Sequence, residues 1–190
     1  SPMKYYLLVN EGMEETAQQE VKELFGASST LSNQVLEFSS DPIADPSLIR
    51  SARRLLVAVG KFSTDAITLP KQFPWQEHFK SGIRFKVEVE NVKGQENRVV
   101  LAKKVAGPLF TIFEAKKISA VLELKKPQLL VVVYYNGSEY FVGLDTTINE
   151  LTARSYRVSP HSGSFKGDLA YFFARKSMFK KGDKLLVAFS

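Results

Sequence analysis

The residues of this chain that could do chemistry do not assemble into a catalytic pattern. Its two histidines, His78 and His161, have no carboxylate at i+3 or i+4, the spacing that would let them share a metal or a proton. Each therefore reads as a structural or solvent-exposed imidazole. Ser162-Gly163-Ser164 resembles part of a nucleophile turn, but no strand precedes it. A phosphate-cradling P-loop, a G-x-G-x-x-G and a G-x-S-x-G are all missing. Cysteine is absent, which excludes disulfides and thiolate metal sites, and no metal is expected. What the residue types do favour is the binding of an anion.

Lysine and arginine number 26 against 20 aspartates and glutamates, a net charge of +6. The excess is unevenly placed. Residues 1–60 hold five basic and eight acidic side chains, whereas 61–190 hold 21 and 12. An acidic front before a basic remainder predicts a directed field that attracts a polyanion, with nucleic acid the leading candidate. The basic residues come in pairs near the ends of expected elements: Lys103-Lys104 on a helix, Lys116-Lys117 at its exit, Lys125-Lys126 after the next strand. Arg84 and Lys86 alternate on one strand face, and Arg98 opens the helix. Grouped together, such side chains could follow a phosphate backbone and release its counterions. The plainer reading of each pair, that it caps the last carbonyls of an element and keeps the surface solvated, stays open. Aromatic residues interleave with this charge (Phe85, Phe110, Phe113, Tyr134, Tyr135, Tyr140 and Phe141). Most belong to a core, and one or two could stack on unpaired bases.

Periodicity supplies the elements that must position these groups. A strand is predicted at Lys4 to Asn10, a helix at Glu14 to Phe25 with Gly26 as its stop, and a strand at Val35 to Phe38. A short helix over Pro46 to Arg54 and a strand over Leu55 to Phe62 complete a β-α-β-α-β order, which predicts a ferredoxin-like α+β subdomain over 1–66. Two prolines between Leu69 and Trp75 read as a linker. A second α/β unit over 67–147 follows. It has a strand at Arg84 to Val89, a helix at Asn97 to Phe113, a strand at Ala120 to Leu124, and a hairpin of 129–135 and 139–144 about Asn136-Gly137. The helix stripe is Val100, Leu101, Val105, Leu109 and Ile112, with Gly107-Pro108 expected to kink or split it. Residues 148–190 read as a linker, a helix at Phe165 to Phe179 and an apolar strand at Leu185 to Phe189. A helix, a glycine turn and an apolar strand look like the start of an α/β domain, so the chain is expected to be the front part of something larger. No apolar run approaches the roughly 20 residues of a membrane-spanning helix, and the absence of cysteine fits a reducing compartment such as the cytoplasm.

The stretch from Arg84 to Asp145 resembles a THUMP domain, the RNA-binding module of several tRNA- and rRNA-modifying enzymes. The resemblance rests on Phe85-Lys86-Val87-Glu88-Val89 and on Asn97-Arg98 opening a helix that runs into Val105-Ala106-Gly107. It continues through Leu122-Glu123-Leu124-Lys125-Lys126-Pro127 and a hairpin ending in Gly143-Leu144-Asp145. Leu151-Thr152-Ala153-Arg154-Ser155-Tyr156-Arg157, with His161 after it, is similar to the L-x-x-R-G-Y-R-x-x-x-H link between a THUMP domain and a class I methyltransferase domain, with Ser155 in the glycine position. The resemblance implies a ferredoxin-like unit, then a THUMP unit, then the first helix and strand of an incomplete Rossmann-like domain. It implies RNA contacts from Arg84, Lys86, Arg98, Lys103, Lys104, Lys116, Lys117, Lys125, Lys126, Arg154 and Arg157, with tRNA or rRNA as partner. S-adenosylmethionine is the cofactor expected of the parent enzyme; this chain is expected to hold no complete cofactor site and no activity of its own. The strand ending Val187-Ala188-Phe189-Ser190 lacks the methyltransferase Asp and Pro, so a 4-thiouridine synthetase, whose strand leads into S-G-G-x-D-S, is also open. So is a non-catalytic RNA-binding adaptor.

Overall fold

The computed structural model describes residues 1–147. The expected linker, helix and strand of 148–190, with Arg154, Arg157, His161 and Ser162-Gly163-Ser164, lie outside the described residues. One mixed sheet of eight strands organises the rest. In chain order these are β1 (Met3–Val9), β2 (Ser29–Ser32), β3 (Val35–Ser40), β4 (Ala52–Phe62), β5 (Arg84–Glu90), β6 (Val121–Leu122), β7 (Leu129–Tyr135) and β8 (Tyr140–Asp145). Their spatial order is β2-β3-β1-β4-β8-β7-β5-β6, so the antiparallel β4–β8 ladder joins the first half of the chain to the second without a break.

Helices cover one face. Helix α1 (Glu14–Phe25) starts with two acidic residues that suit its positive end and stops at Gly26, which takes the left-handed conformation at φ 63°. It buries Ala17 and Val21 against Tyr5, Leu7, Leu36, Phe38 and Leu55. Helix α3 (Gln95–Lys116) crosses from β5 to β6 and buries Leu101, Val105, Leu109 and Phe113 against Phe85, Val87, Val131, Val133 and Val142. Gly107-Pro108 does not split it. Both Pro108 and Lys104, the residue whose carbonyl loses its partner, lie on the exposed side, where that carbonyl is open to solvent rather than buried unpaired.

Several expectations are corrected. The predicted helix over Pro46 to Arg54 is a single 3-10 turn at Pro46–Leu48, and Arg53 and Arg54 belong to β4. Tertiary contacts override the local signal. The Glu20 carboxylate on α1 accepts the backbone N–H groups of Arg50 and Ser51, and Ile49 is buried in the core under α1. The chain therefore extends before a helix can continue. Strand β2 went unrecognised because Ser29 to Ser32 has no apolar alternation; it pairs with β3 across a turn in which Asn33 has φ 52°. The proline-bearing stretch is no loose linker. Ile67, Leu69 and Trp75 pack into the core under α3, and Trp75 opens the one-turn α2 (Trp75–His78) while its indole N–H donates to the Pro70 carbonyl at 2.9 Å. Strand β6 is only two residues long, and Val100 of the predicted stripe is 46% exposed.

The other face rolls inward on itself. In a flat sheet β3 and β7 would lie four spacings apart, about 19 Å. Yet Tyr134 Oη on β7 donates to Gln34 Oε1 at the start of β3 at 3.2 Å, and the tips of the two hairpins exchange amide bonds. Asn33 Nδ2 donates to the Asn136 carbonyl at 2.8 Å, and Asn136 Nδ2 to the Ser32 carbonyl at 3.0 Å. Tyr6, Leu8, Leu56, Leu130, Val132 and Phe141 fill the resulting concave interior. Gly143 permits the tight β4–β8 approach at its centre, since a Cβ there would stand 2.6 Å from Leu56 Cβ and 3.0 Å from the Val57 carbonyl oxygen.

Candidate nucleic-acid interface

The concave face holds charge as well as apolar residues. Arg54, 3% exposed, donates from Nε to Glu90 at 2.6 Å, from NH2 to Glu88 at 2.8 Å and from NH1 to Asp145 at 2.7 Å. A bulge explains how it is joined by its neighbour. Leu8 pairs with Arg54 and Val9 with Ala52, so Arg53 is the extra residue of β4 and its side chain is re-aimed. Arg53 reaches Glu90 at 2.8 Å and lies 5.2 Å from the centre of the Tyr134 ring. Burial alone would lower the Arg54 value and raise that of Glu90. The opposite charges outweigh it, so the guanidinium is held protonated above its ordinary value and the Glu90 carboxyl falls below its own. Lys86 is turned to this face too, 3.6 Å from Glu88 with its side chain 12% exposed. Asp145 passes the network on to the end of β8, where its Oδ1 accepts the N–H and hydroxyl of Thr147, both at 2.9 Å. Sequence reasoning missed this cluster. Its signal was acidic residues at every second position of a strand, Glu88 and Glu90, facing a basic pair.

A different arrangement lies at the N-terminal end of β5. Arg84 pairs with Val121, the Gly82 N–H donates to the Ser119 carbonyl at 2.5 Å, and Gln128 N donates to the Arg84 carbonyl at 2.7 Å. These bonds bring the exit of α3, with Lys116 and Lys117, to the same end of the sheet as Arg84 and the 123–128 loop carrying Lys125 and Lys126. Lys80, just before β5, joins them. Lys117 takes the left-handed conformation that ends α3 at φ 57°, and Arg84 Nε donates to the Lys126 carbonyl at 3.4 Å. Arg84, Lys80, Lys117, Lys125 and Lys126 are exposed and Lys116 is half-buried. Among the described residues none of the six forms an ion pair. Glu114 and Glu123 are the acids on the same segments.

The remaining predicted cations sit elsewhere. Arg98 lies about 27 Å from Lys116 along α3. It donates from NH1 to the Val92 carbonyl at 3.0 Å, closing the loop that enters the helix. Lys104 is paired with Asp65 at 2.9 Å, and Lys103 is half-buried. This end also carries a cleft of about 610 Å³ between α3, the 91–93 loop and the β7–β8 hairpin. Of the seven aromatic residues singled out in the sequence, Phe85, Phe113, Tyr134 and Phe141 are buried and Phe110 packs on the core. Tyr135 and Tyr140 line this cleft and remain half-exposed. His78 is half-buried and stacked on Phe73 at 5.4 Å; burial lowers its pKa and keeps it neutral. Among the described residues, no group of His, Asp or Glu is arranged to hold a metal ion, and no helix is long and apolar enough to cross a membrane.

No protein-family model and no curated protein matches this sequence. Among solved structures the chain is similar to TrmN from Thermus thermophilus, at 19% identity and a TM-score of 0.51, over 90% of this chain and 55% of that one. It is similar to a possible methylase from Clostridium difficile 630 at 13% identity and a TM-score of 0.50, over 76% of this chain and 41% of that one. A 4-thiouridine synthetase crystallised with RNA and ATP is a weaker likeness, with 13% identity and a TM-score of 0.46. The chain thus spans between 41% and 55% of the length of the first two structures, and at these identities the likeness is one of fold.

Proposed function

We propose that this chain is the RNA-recognition segment of an RNA-modifying enzyme, most specifically of an S-adenosylmethionine-dependent tRNA or rRNA methyltransferase. In this reading residues 67–147 act as a THUMP unit, and residues 1–66 are a ferredoxin-like unit that sets spacing and stability. The observation that carries it is the unpaired cationic end of the β5–α3–β6 unit. Arg84, Lys116, Lys117, Lys125 and Lys126 converge there without a carboxylate partner among the described residues. Cations left uncompensated at one end of a fold cost stability through mutual repulsion, and a phosphate backbone relieves that repulsion. Similarity of fold to TrmN and to a possible methylase supports placing the segment beside a methyl-transferring domain. Catalysis and cofactor binding belong to the parent protein.

The test is the affinity of the chain for tRNA as a function of salt. Substituting Lys125→Glu with Lys126→Glu is expected to weaken binding and flatten the salt slope, with no loss of thermal stability. An unchanged slope removes the cationic end from the interface. Binding of S-adenosylmethionine by the 190-residue chain in calorimetry would contradict the assignment of the cofactor to the parent enzyme.

A further inference from the structure

The cleft at the opposite end of α3 has no role in phosphate contact along the cationic end, and its lining is of another kind. Tyr135 and Tyr140 form the last pair of the β7–β8 ladder, on the helix-covered face, with ring centres 4.5 Å apart and planes at 31°. Tyr135 is fixed in place because its hydroxyl donates to the Gly137 carbonyl at 2.9 Å. Val100, one turn into α3, belongs to the helix's apolar stripe by sequence but is left 46% exposed in the cleft wall. Two half-exposed rings and a bare valine make an apolar surface that the described residues do not cover.

The polar groups around that surface are two side-chain amides and the Asp65 carboxylate, which Lys104 pairs at 2.9 Å. Asn91 Nδ2 donates to the Tyr135 carbonyl at 2.7 Å, and Asn97 Nδ2 donates to the Lys93 carbonyl at 3.0 Å. Among the described residues each amide is thus held by one N–H and keeps its Oδ1 acceptor and a second N–H for a ligand. That donor–acceptor pair is the set with which asparagine reads the amino-bearing edge of adenine. Lys93, exposed on the rim, forms no ion pair among the described residues and supplies a cation for a phosphate.

We infer that this cleft takes one unpaired nucleobase of a single-stranded RNA, stacked on Tyr135 and Tyr140 and read at its edge by Asn91 or Asn97, with adenine preferred over uracil. The inference rests on the RNA reading above and adds a base-reading site about 27 Å from the cationic end along α3. A base inside a duplex cannot reach such a cleft, so the site selects unpaired RNA.

The experiment compares the full chain's binding of hexa-adenylate, hexa-uridylate and a short RNA duplex, with the variants Tyr135→Ala, Tyr140→Ala, Tyr140→Phe and Asn97→Ala. Loss of one stacking ring is expected to weaken hexa-adenylate binding about 5- to 150-fold. Tyr140→Phe retains the ring and is expected to bind as the parent does. Asn97→Ala, on an exposed position of the first turns of α3, leaves the fold intact and is expected to narrow the difference between adenylate and uridylate. Equal binding of the duplex, or full hexa-adenylate affinity in folded Tyr→Ala variants, would overturn the inference. The two readings fail differently. If tRNA binds and responds to Lys125→Glu with Lys126→Glu while the cleft variants change nothing, the cleft is wrong and the cationic end stands. If no RNA binds at all, both fall.

Discussion

Arg53-Arg54 and Lys125-Lys126 are both adjacent basic pairs, and the fold uses them in opposite ways. The arginines sit on the concave face of β4 and are met by Glu88, Glu90 and Asp145. The lysines sit in the loop between β6 and β7 and meet no carboxylate among the described residues. With Lys86 included, the buried cluster holds three cations and three carboxylates. It is close to neutral and contributes little to the field outside. The charge that a polyanion would feel therefore comes from the ends of the βα unit. A basic pair in sequence says nothing of its role until the face it occupies is known.

Breaking the buried side of that contrast has the largest expected effect. Arg54→Met leaves three carboxylates buried without their common partner and is expected to cost about 3–5 kcal/mol, read as a lower urea midpoint. The interfacial glycine comes next. Gly143→Ala drives a methyl into Leu56 and the Val57 carbonyl, with an expected loss of about 1–3 kcal/mol in the same measurement.

Acid titration sharpens the comparison further. Glu90 has its value lowered from 4.5 to about 2 by Arg54 and Arg53, against the upward push of burial. The folded state then binds fewer protons than the unfolded one below pH 4.5. The stabilisation it gives is complete above 4.5 and is lost as pH falls toward about 2. Glu90→Gln is expected to remove that portion of the pH dependence while lowering stability throughout. No such acid slope is expected from Lys125 and Lys126. Their substitution is expected to leave the unfolding free energy within about 0.5 kcal/mol of the parent. A smaller effect on the salt slope than that of the Lys125 and Lys126 pair is expected from Lys104→Ala, since Lys104 is already paired with Asp65.

Much of this was legible in the sequence. Strong periodicity located α1 to the residue, and apolar runs located β1, β5, β7 and β8 within two residues at either end. Asn136-Gly137 marked a real hairpin, though its four-residue loop is shaped by Asn136 Oδ1 accepting the N–H groups of Ser138 and Glu139. The failures came where a distant partner decides. Pro46 reads locally as a helix start, but Glu20 takes the N–H groups that a longer helix would have used. The Arg53-Arg54 pair was expected at the end of a short helix, because the carboxylates that hold it in β4 are more than 30 residues away. Of the predicted cationic surface, five residues gather at one end, while Arg98, Lys103 and Lys104 lie toward the other. Helix α3 is long enough to separate what sequence proximity grouped.

The most direct measurement is the slope of log affinity for tRNA against log salt, compared between the parent chain, Lys125→Glu with Lys126→Glu, and Arg53→Ala. The lysine variant is expected to flatten the slope by about 0.7 for each single-strand phosphate contact it removes. Arg53→Ala is expected to keep the parent slope, because its guanidinium faces Glu90 and Tyr134. A folded Arg53→Ala chain that loses slope while the lysine variant keeps it would place the RNA on the concave face, and would contradict the division of roles between the two basic pairs.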